Sequence, residues 1–273
     1  MAGDSGIRPG QSEELLRELH ILTRDGRLNQ DSRRKLKQVY HLCQFIEPLL
    51  AEAEAQGGEP VLVDHGAGKS YLGFILYDLF LKQRAGGRVF CVETRGELVE
   101  KSRALADRLG FKRFHALHST VEAAIADPAL PERIDLVTAL HACDTATDDA
   151  IRFALLRKSR FIALVPCCQA EVAAALRHGK ADALAGSALA ELWRHPIHTR
   201  EFGSLVTNAL RCLLLEAHGY RLSVTELVGW EHSLKNELII ARREGPPRGN
   251  ARERARQILG ELGLAELEAR FIF

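Results

Sequence analysis

Short apolar runs alternate with helical patterns between residues 60 and 168, and this alternation constrains the fold more than any other feature. Helical segments of roughly ten to fifteen residues separate the runs, which is typical of a parallel, doubly wound sheet. The predicted strands are "PVLVD" (60–64), "RVFCVE" (88–93), "KRFHALHS" (112–119), "RIDLVTALHAC" (133–143) and "RFIALVPCC" (160–168).

Two further strands, "YRLSVTELV" and "NELIIARR", follow near the end of the chain. Only "GWEHSLK" lies between them, so they are expected to pair as an antiparallel hairpin. The predicted fold class is therefore α/β: a doubly wound, mostly parallel, seven-stranded Rossmann-like sheet ending in that hairpin, with helical extensions at both ends.

Composition shifts suggest three regions. Residues 1–58 form an amino-terminal helical segment, with helical spacing over 12–55. Residues 59–243 form the sheet domain, with a helical insertion at 169–200 and a helix at 204–219. Residues 244–273 form a linker, "EGPPRGN", and a carboxyl-terminal helical extension.

Charge and hydropathy exclude several classes. The 37 Lys and Arg residues nearly balance 36 Asp and Glu, so no global polyanion-binding signature exists. No apolar run is long enough to span a bilayer, and the first residues lack the pattern of a secretory signal. We therefore expect a cytoplasmic protein whose six cysteines are thiols or ligands rather than a disulfide framework.

The loop "VDHGAGKSYLG" contains Gly-Lys-Ser, which suggests a nucleotide triphosphate site. A phosphate-binding loop of that kind needs a glycine six residues before its lysine. Counting back from Lys69 gives Val63, a β-branched residue inside the strand, which cannot supply the turn. The loop is too short to hold a triphosphate, and Lys69 is interpreted as a surface charge.

A different spacing in the same loop fits a nucleotide cofactor. Asp64, Gly66 and Gly68 alternate at the end of a strand and open a helix, where a cofactor can approach bare backbone. Glu93 ends the next strand, where a carboxylate can accept hydrogen bonds from ribose hydroxyls. Ser119, after the third strand, stands where an adenine contact is expected. Nicotinamide and S-adenosylmethionine folds both use this arrangement, and a plain tight turn is the structural alternative.

The antiparallel end of the sheet separates these classes. Over residues 35–243 the chain resembles class I S-adenosylmethionine-dependent methyltransferases. It is most similar to a branch related to tRNA 2′-O-methyltransferase and to proteins named for a ribosomal RNA adenine dimethylase domain. The motifs that carry the resemblance are "LHACD" (140–144), "PCC" (166–168) and "EHSLKN" (231–236). Ser70 stands where the family has a third glycine, and the glycine usual before Asp144 is missing.

The resemblance implies S-adenosyl-L-methionine as cofactor. The candidate cofactor-binding residues are Asp64, Gly66, Ala67, Gly68, Glu93, Ser119 and Leu140. A general base is needed only for a hydroxyl or protonated amine acceptor, and Asp144 and His141 are the best-placed candidates. His232, Lys235 and Asn236 are candidate substrate-orienting residues, with a polar turn as the alternative.

Cys143, Cys167 and Cys168 end neighbouring predicted strands and are the remaining catalytic candidates. They fit three interpretations: apolar lining of the cleft, zinc ligands together with His141, or a nucleophile that adds to a pyrimidine ring. Cleft lining is favoured, because no Cys-x-x-Cys pair and no neighbouring base are recognisable. No metal is therefore expected.

The acceptor is predicted from charge and resemblance. Residues 20–41 hold six Lys and Arg against two Asp, a local excess that suits phosphate contacts. RNA, tRNA or rRNA, is the leading acceptor class, and a solvated helix face is the structural explanation of the same charges. A protein or small-molecule acceptor, and a non-catalytic binding domain, are the alternatives.

Overall fold

The computed structural model describes residues 7–23, 25–140, 142, 144–166, 169–178, 188–227, 237–247 and 249–273. The strands of this described part are β1 (Val61–His65), β2 (Arg88–Glu93), β3 (Phe114–His118), β4 (Leu136–Leu140), β5 (Phe161–Val165), β6 (Tyr220–Glu226) and β7 (Glu237–Arg243). The α-helices are α1 (Glu13–Glu18), α2 (Gln30–Ala55), α3 (Tyr71–Leu76), α4 (Gly96–Arg108), α5 (Val121–Ile125), α6 (Thr145–Leu156), α7 (Glu171–His178), α8 (Pro196–Ala217), α9 (Ala251–Glu261) and α10 (Glu268–Phe271).

The strands of the described residues form one seven-stranded sheet in the order β3-β2-β1-β4-β5-β7-β6. Strands β1 to β5 are parallel, and β7 pairs antiparallel with both β5 and β6. The predicted fold class, including the antiparallel end pair, is confirmed. The order reverses between β1 and β4, and in open α/β sheets ligands bind outside the carboxyl ends of the strands at such a point.

Helices cover both faces of the sheet, so β1 and β5 are buried along their whole length. One face packs against α2, α3 and α4 through side chains such as Leu62 and Val89. The other packs against α5, α6 and α8 through Val63 and Val137. Burial on both faces explains why these strands are continuous apolar runs in the sequence.

The amino-terminal segment differs from the prediction of helix over 12–55. Its helical pattern is broken between α1 and α2, where His20 takes a left-handed backbone conformation (φ 54°). Asn29 then starts α2 by accepting a hydrogen bond from the Ser32 amide at 2.8 Å. Leu15 and Leu16 are buried in the same cluster as the sheet, so this segment is part of the main core.

The helix predicted over 69–83 consists of α3 followed by a π-helical turn, Tyr77–Leu81. The side chain of Asp78, in that turn, is fully buried. Its carboxylate accepts hydrogen bonds from the Ser12 amide at 2.7 Å and from Lys82 Nζ at 3.0 Å. The turn therefore fastens the amino-terminal segment to α3.

Other boundaries also move. The described strands β4 and β5 are shorter than the predicted 133–143 and 160–168. Helix α8 begins at Pro196 rather than 204, because proline is well suited to the first turn of a helix. Asp144, and not Thr145 or Thr147, occupies the cap position of α6, while the Thr147 hydroxyl donates to the Ala142 carbonyl.

Candidate active site

The loop after β1 exposes backbone at the carboxyl edge of the sheet. Gly66 and Gly68 have left-handed backbone angles (φ 62° and 58°), which glycine adopts without strain. The Ala67 amide donates to the Val92 carbonyl at 3.2 Å and ties the loop to β2. Ser70, in place of the third glycine, also has a left-handed φ of 56° and starts α3. The loop thus keeps its turn despite the substitution.

Asp64 lies beneath this loop and is 2% exposed. Its Oδ1 accepts a hydrogen bond from the Thr138 hydroxyl of β4 at 2.6 Å. Burial raises the pKa of Asp64 to about 7, although the Thr138 hydrogen bond opposes this shift. A carboxyl with this pKa changes charge in the physiological range, so a cationic group bound beside it would favour the ionised form.

Glu93 ends β2 and faces the same loop. Its Oε2 accepts the Gly68 amide at 2.8 Å, and its Oε1 accepts the Arg95 amide at 3.0 Å. The Arg95 side chain donates from Nε to Oε1 at 2.9 Å and from Nη2 to Oε2 at 3.1 Å. Burial would raise the pKa of Glu93, but the hydrogen bonds from Arg95 and Gly68 outweigh it and lower the pKa to about 2.

The ends of β3 and β4 complete this edge. The Ser119 amide donates to the Glu93 carbonyl at 3.2 Å, so the turn after β3 is fixed beside β2. Leu140 is the last residue of β4 and is half-buried. The structure therefore brings together, at the carboxyl ends of β1 to β4, the predicted cofactor set: Asp64, Gly66, Ala67, Gly68, Glu93, Ser119 and Leu140.

Asp144, a predicted base, is engaged in local structure. Its Oδ1 accepts the amides of Ala170 at 3.0 Å and Glu171 at 3.4 Å, at the start of α7. A carboxylate there stabilises the free amides and the positive end of the helix dipole. The other predicted catalytic and substrate residues lie outside the described part of the chain: His141, Cys143, Cys167, Cys168, His232, Lys235 and Asn236.

The cysteines that the structure describes are free thiols within the core or near it. Cys43 and Cys91 are buried, and Cys212 is half-buried. Burial raises the pKa of Cys43 and of Cys212 to about 12, so these two are protonated and unreactive at neutral pH. Among the described residues, no group of three or more His, Cys, Asp or Glu side chains could hold a metal ion.

Sequence reasoning missed a buried ion pair behind the edge. Arg211 of α8 is 1% exposed and donates two hydrogen bonds to Asp148 of α6, at 2.7 and 2.8 Å. Its Nη2 also donates to the Asp144 carbonyl at 2.9 Å. The pair thus fixes the turn that begins α6. The one signal in the sequence is a charged residue within the apolar stretch "ALRCLLLEA".

A chain of amides extends from this pair toward β7. Asn208 Oδ1 accepts from Gln169 Nε2 at 2.7 Å and from Arg211 Nη1 at 3.2 Å. Its Nδ2 donates to Glu237 Oε2 at 2.6 Å, and Ser204 donates to Gln169. These contacts connect the residue that follows "PCC" with the first residue of β7. They form a polar network beside the carboxyl end of β5, in which the amides of Gln169 and Asn208 are buried.

A mostly parallel sheet with an antiparallel end pair, and a glycine loop after its first strand, is the arrangement of class I methyltransferases. The profile of the family described as "Methyltransferase domain" matches residues 34–175, about half of the chain. The chain belongs to this family. Among curated proteins, no sequence matches it.

Solved structures with a similar chain path share little sequence with this protein. A methyltransferase from Podospora anserina with bound S-adenosylhomocysteine is 13% identical, covering 86% of this chain and 88% of its own, with a TM-score of 0.47. Magnesium protoporphyrin IX methyltransferase from Synechocystis is 14% identical, with coverage of 86% and 95% and a TM-score of 0.45. An rRNA methylase from Streptococcus thermophilus is 14% identical, with coverage of 74% and 95% and a TM-score of 0.44.

The cofactor of this fold is S-adenosyl-L-methionine. The described residues fit this cofactor. The backbone from Gly66 to Gly68 is accessible at the carboxyl edge of the sheet, and the carboxyl groups of Asp64 and Glu93 lie beside it. None of the described helices is long and apolar enough to cross a membrane.

Proposed function

We propose that this protein transfers the methyl group of S-adenosyl-L-methionine to RNA. The observation that supports the methyl-transfer part is the convergence of Asp64, Gly68 and Glu93 at the point where the strand order reverses. Ionised Glu93 would accept hydrogen bonds from the ribose hydroxyls. Ionised Asp64 would face the ammonium group of the methionine part, and the loop backbone would contact the cofactor between them.

When bound, the cofactor supplies an electrophilic methyl carbon, so the protein mainly has to align the acceptor behind it. Asp144 Oδ1 holds the start of α7. Asp144 and His141 both stay predictions for the base that a hydroxyl acceptor would need.

RNA as the acceptor is supported by unpaired cations next to the cofactor loop. A cleft of about 420 Å³ between α1 and α4 is lined by His20, Lys69 and Lys101. Lys69 and Lys101 have no carboxylate partner among the described residues, whereas Arg108 in the same cleft pairs with Glu18 at 2.8 Å. Lysines without partners can neutralise phosphates without first breaking an ion pair.

The basic segment 20–41 adds to this surface. Arg33, Lys37 and His41 line a second cleft, of about 440 Å³, along one face of α2. The "LHACD", "PCC" and "EHSLKN" motifs also resemble those of tRNA 2′-O-methyltransferases, which supports tRNA or rRNA over other acceptors. A protein or small-molecule acceptor, and a binding domain without activity, predict different results below.

The test combines calorimetric binding of S-adenosylhomocysteine with transfer of labelled methyl groups to total RNA and total protein. Binding together with label in RNA is the expected result. Label in protein alone refutes the RNA acceptor and keeps the enzyme class, whereas binding without transfer to any acceptor favours a non-catalytic domain. Lys101→Ala should weaken RNA methylation most at low salt, and its difference from the wild type should shrink as salt rises. Lys112→Ala is the matched control, because Lys112 lies outside the cleft.

A further inference from the structure

All acceptor positions of the Glu93 carboxylate are filled in the free protein. A carboxylate offers about four lone-pair positions, two on each oxygen. The backbone amides of Gly68 and Arg95 take one position on each oxygen. The Arg95 side chain takes the other on each, through Nε and Nη2. The Thr94 hydroxyl also donates to Oε1, at a long 3.4 Å. A ribose with two free hydroxyls needs two of these positions.

Only the side-chain bonds can be given up. The Gly68 amide belongs to a loop tied to β2, and the Arg95 amide lies at the start of α4. The Arg95 side chain is 61% exposed, while that of Glu93 is 7% exposed. The guanidinium can therefore move into solvent by side-chain rotation, without any change in the loop or in α4.

We propose that the Arg95 guanidinium occupies the ribose-binding positions of Glu93 in the free protein and is displaced when the cofactor binds. This inference rests on the proposed role of Glu93. Arg95 is thus a built-in competitor, which keeps the carboxylate ionised and paired while the site holds no cofactor. Its fork has the geometry of a diol, since two parallel N–H groups meet the two carboxylate oxygens.

The competition between Arg95 and the ribose for Glu93 should be modest, because the Arg95 side chain is mostly exposed to water. Exposed ion pairs of this kind change an equilibrium by about two- to fivefold. Arg95→Ala should therefore bind S-adenosylhomocysteine about two- to fivefold more tightly than the wild type. The affinity of Arg95→Lys should lie between those of the wild type and Arg95→Ala, because an ammonium group cannot form two parallel hydrogen bonds to the carboxylate.

The experiment measures S-adenosylhomocysteine affinity by calorimetry for the wild type, both Arg95 variants and Arg133→Ala. Arg133 is a matched control. It is half-exposed and pairs with the buried Asp135 at 2.7 Å, at the amino end of β4. Its removal changes the net charge equally and should leave the affinity unchanged.

Salt provides a second readout. Raising the ionic strength screens the exposed partner of the Glu93–Arg95 pair. The difference in affinity between wild type and Arg95→Ala should shrink between low and high salt, whereas Arg133→Ala should follow the wild type throughout. A difference that is constant in salt would contradict an electrostatic competitor.

Other outcomes separate this inference from the function on which it rests. Weaker binding by Arg95→Ala would overturn it, because Arg95 would then contact the ligand directly. Equal binding would also overturn it. Glu93→Gln is measured in parallel: if this variant binds as the wild type does, the ribose role of Glu93 is wrong. If the wild type itself fails to bind, the proposed function is wrong.

Discussion

The Thr138 hydroxyl donates a hydrogen bond to Asp64 Oδ1 across the pairing of β4 with β1, at 2.6 Å. This bond favours the charged carboxylate, while burial favours the neutral acid and outweighs it. The balance places a titrating group directly under the glycine loop. The state of the loop is therefore expected to depend on pH near neutrality.

The stability of the cofactor-free protein should decrease as pH rises from about 4 to about 7. The unfolded chain releases the Asp64 proton near its ordinary pKa of 3.8, whereas the folded protein keeps it until about 7. The folded state binds more protons in this window, so the free energy of unfolding falls with pH, by at most about 4 kcal/mol. In urea unfolding, the free energy of unfolding of Asp64→Asn should rise relative to that of the wild type between pH 5 and pH 8. Parallel profiles would contradict the raised pKa.

Cofactor affinity should follow the opposite trend. The ionised form of Asp64 is the one expected to face the methionine ammonium group, so S-adenosylhomocysteine should bind more tightly as pH rises from 6 to 8. Asp64→Asn should bind more weakly and lose this dependence. Thr138→Val should move the midpoint to higher pH, because it removes a hydrogen bond to the charged form. Calorimetric titrations at several pH values test the wild type and both variants.

Gly68→Ala should abolish tight binding of S-adenosylhomocysteine and destabilise the fold by about 1–2 kcal/mol, the cost of a left-handed backbone for alanine. The added methyl group would face the proposed cofactor site, where its nearest neighbour is Arg95 Nη2 at 3.7 Å. Gly110→Ala is the control. Gly110 has a φ of 67° and no atoms near the added group, so it should lose similar stability and keep binding. Equal binding by both variants would contradict the proposed site.

Removing only one partner of the Arg211–Asp148 ion pair should lower the free energy of unfolding strongly. Arg211→Met leaves the Asp148 carboxylate buried without a counter-charge, which typically costs about 3–5 kcal/mol. The double variant Asp148→Asn with Arg211→Met should recover much of this loss in urea unfolding. If the double variant is as unstable as the single one, the cost lies in the lost bonds to Asp144 and Asn208 instead.

Helices α7 and α8 cross closely at Gly203. A Cβ atom there would lie 2.8 Å from Ala173 Cβ and 2.9 Å from its backbone nitrogen. Gly203→Ala should destabilise the protein by about 1–3 kcal/mol, because backbone cannot yield as a flexible side chain does. Gly260→Ala, on the exposed face of α9 with open space around it, should instead stabilise by about 0.5–1 kcal/mol. Thermal unfolding of both variants gives the comparison.

Local patterns were enough to predict the sheet, since the apolar runs of β1 and β5 reflect burial on both faces. The glycine loop and Glu93 were also recognisable, because spacing after a strand defines them. The hydrogen bonds from the Arg95 side chain to Glu93 were not recognisable, although the two residues are only two positions apart. The capping of α7 by Asp144 joins residues 26 positions apart. Such contacts depend on how distant segments meet in the fold, which spacing along the chain does not reveal.

Asp78 gives the amino-terminal segment a further significance. The family match starts at residue 34, inside α2, yet the Asp78 carboxylate is buried against the Ser12 amide. Tyr71, the first residue of α3, also donates its hydroxyl to the Leu19 carbonyl. A fragment cut at the start of the match would leave the buried Asp78 carboxylate with one partner fewer. It would also remove Leu15 and Leu16 from the core and uncover the side chains packed against them. The family match is thus shorter than the part of the chain that folds together. A fragment for expression should therefore include the amino-terminal segment.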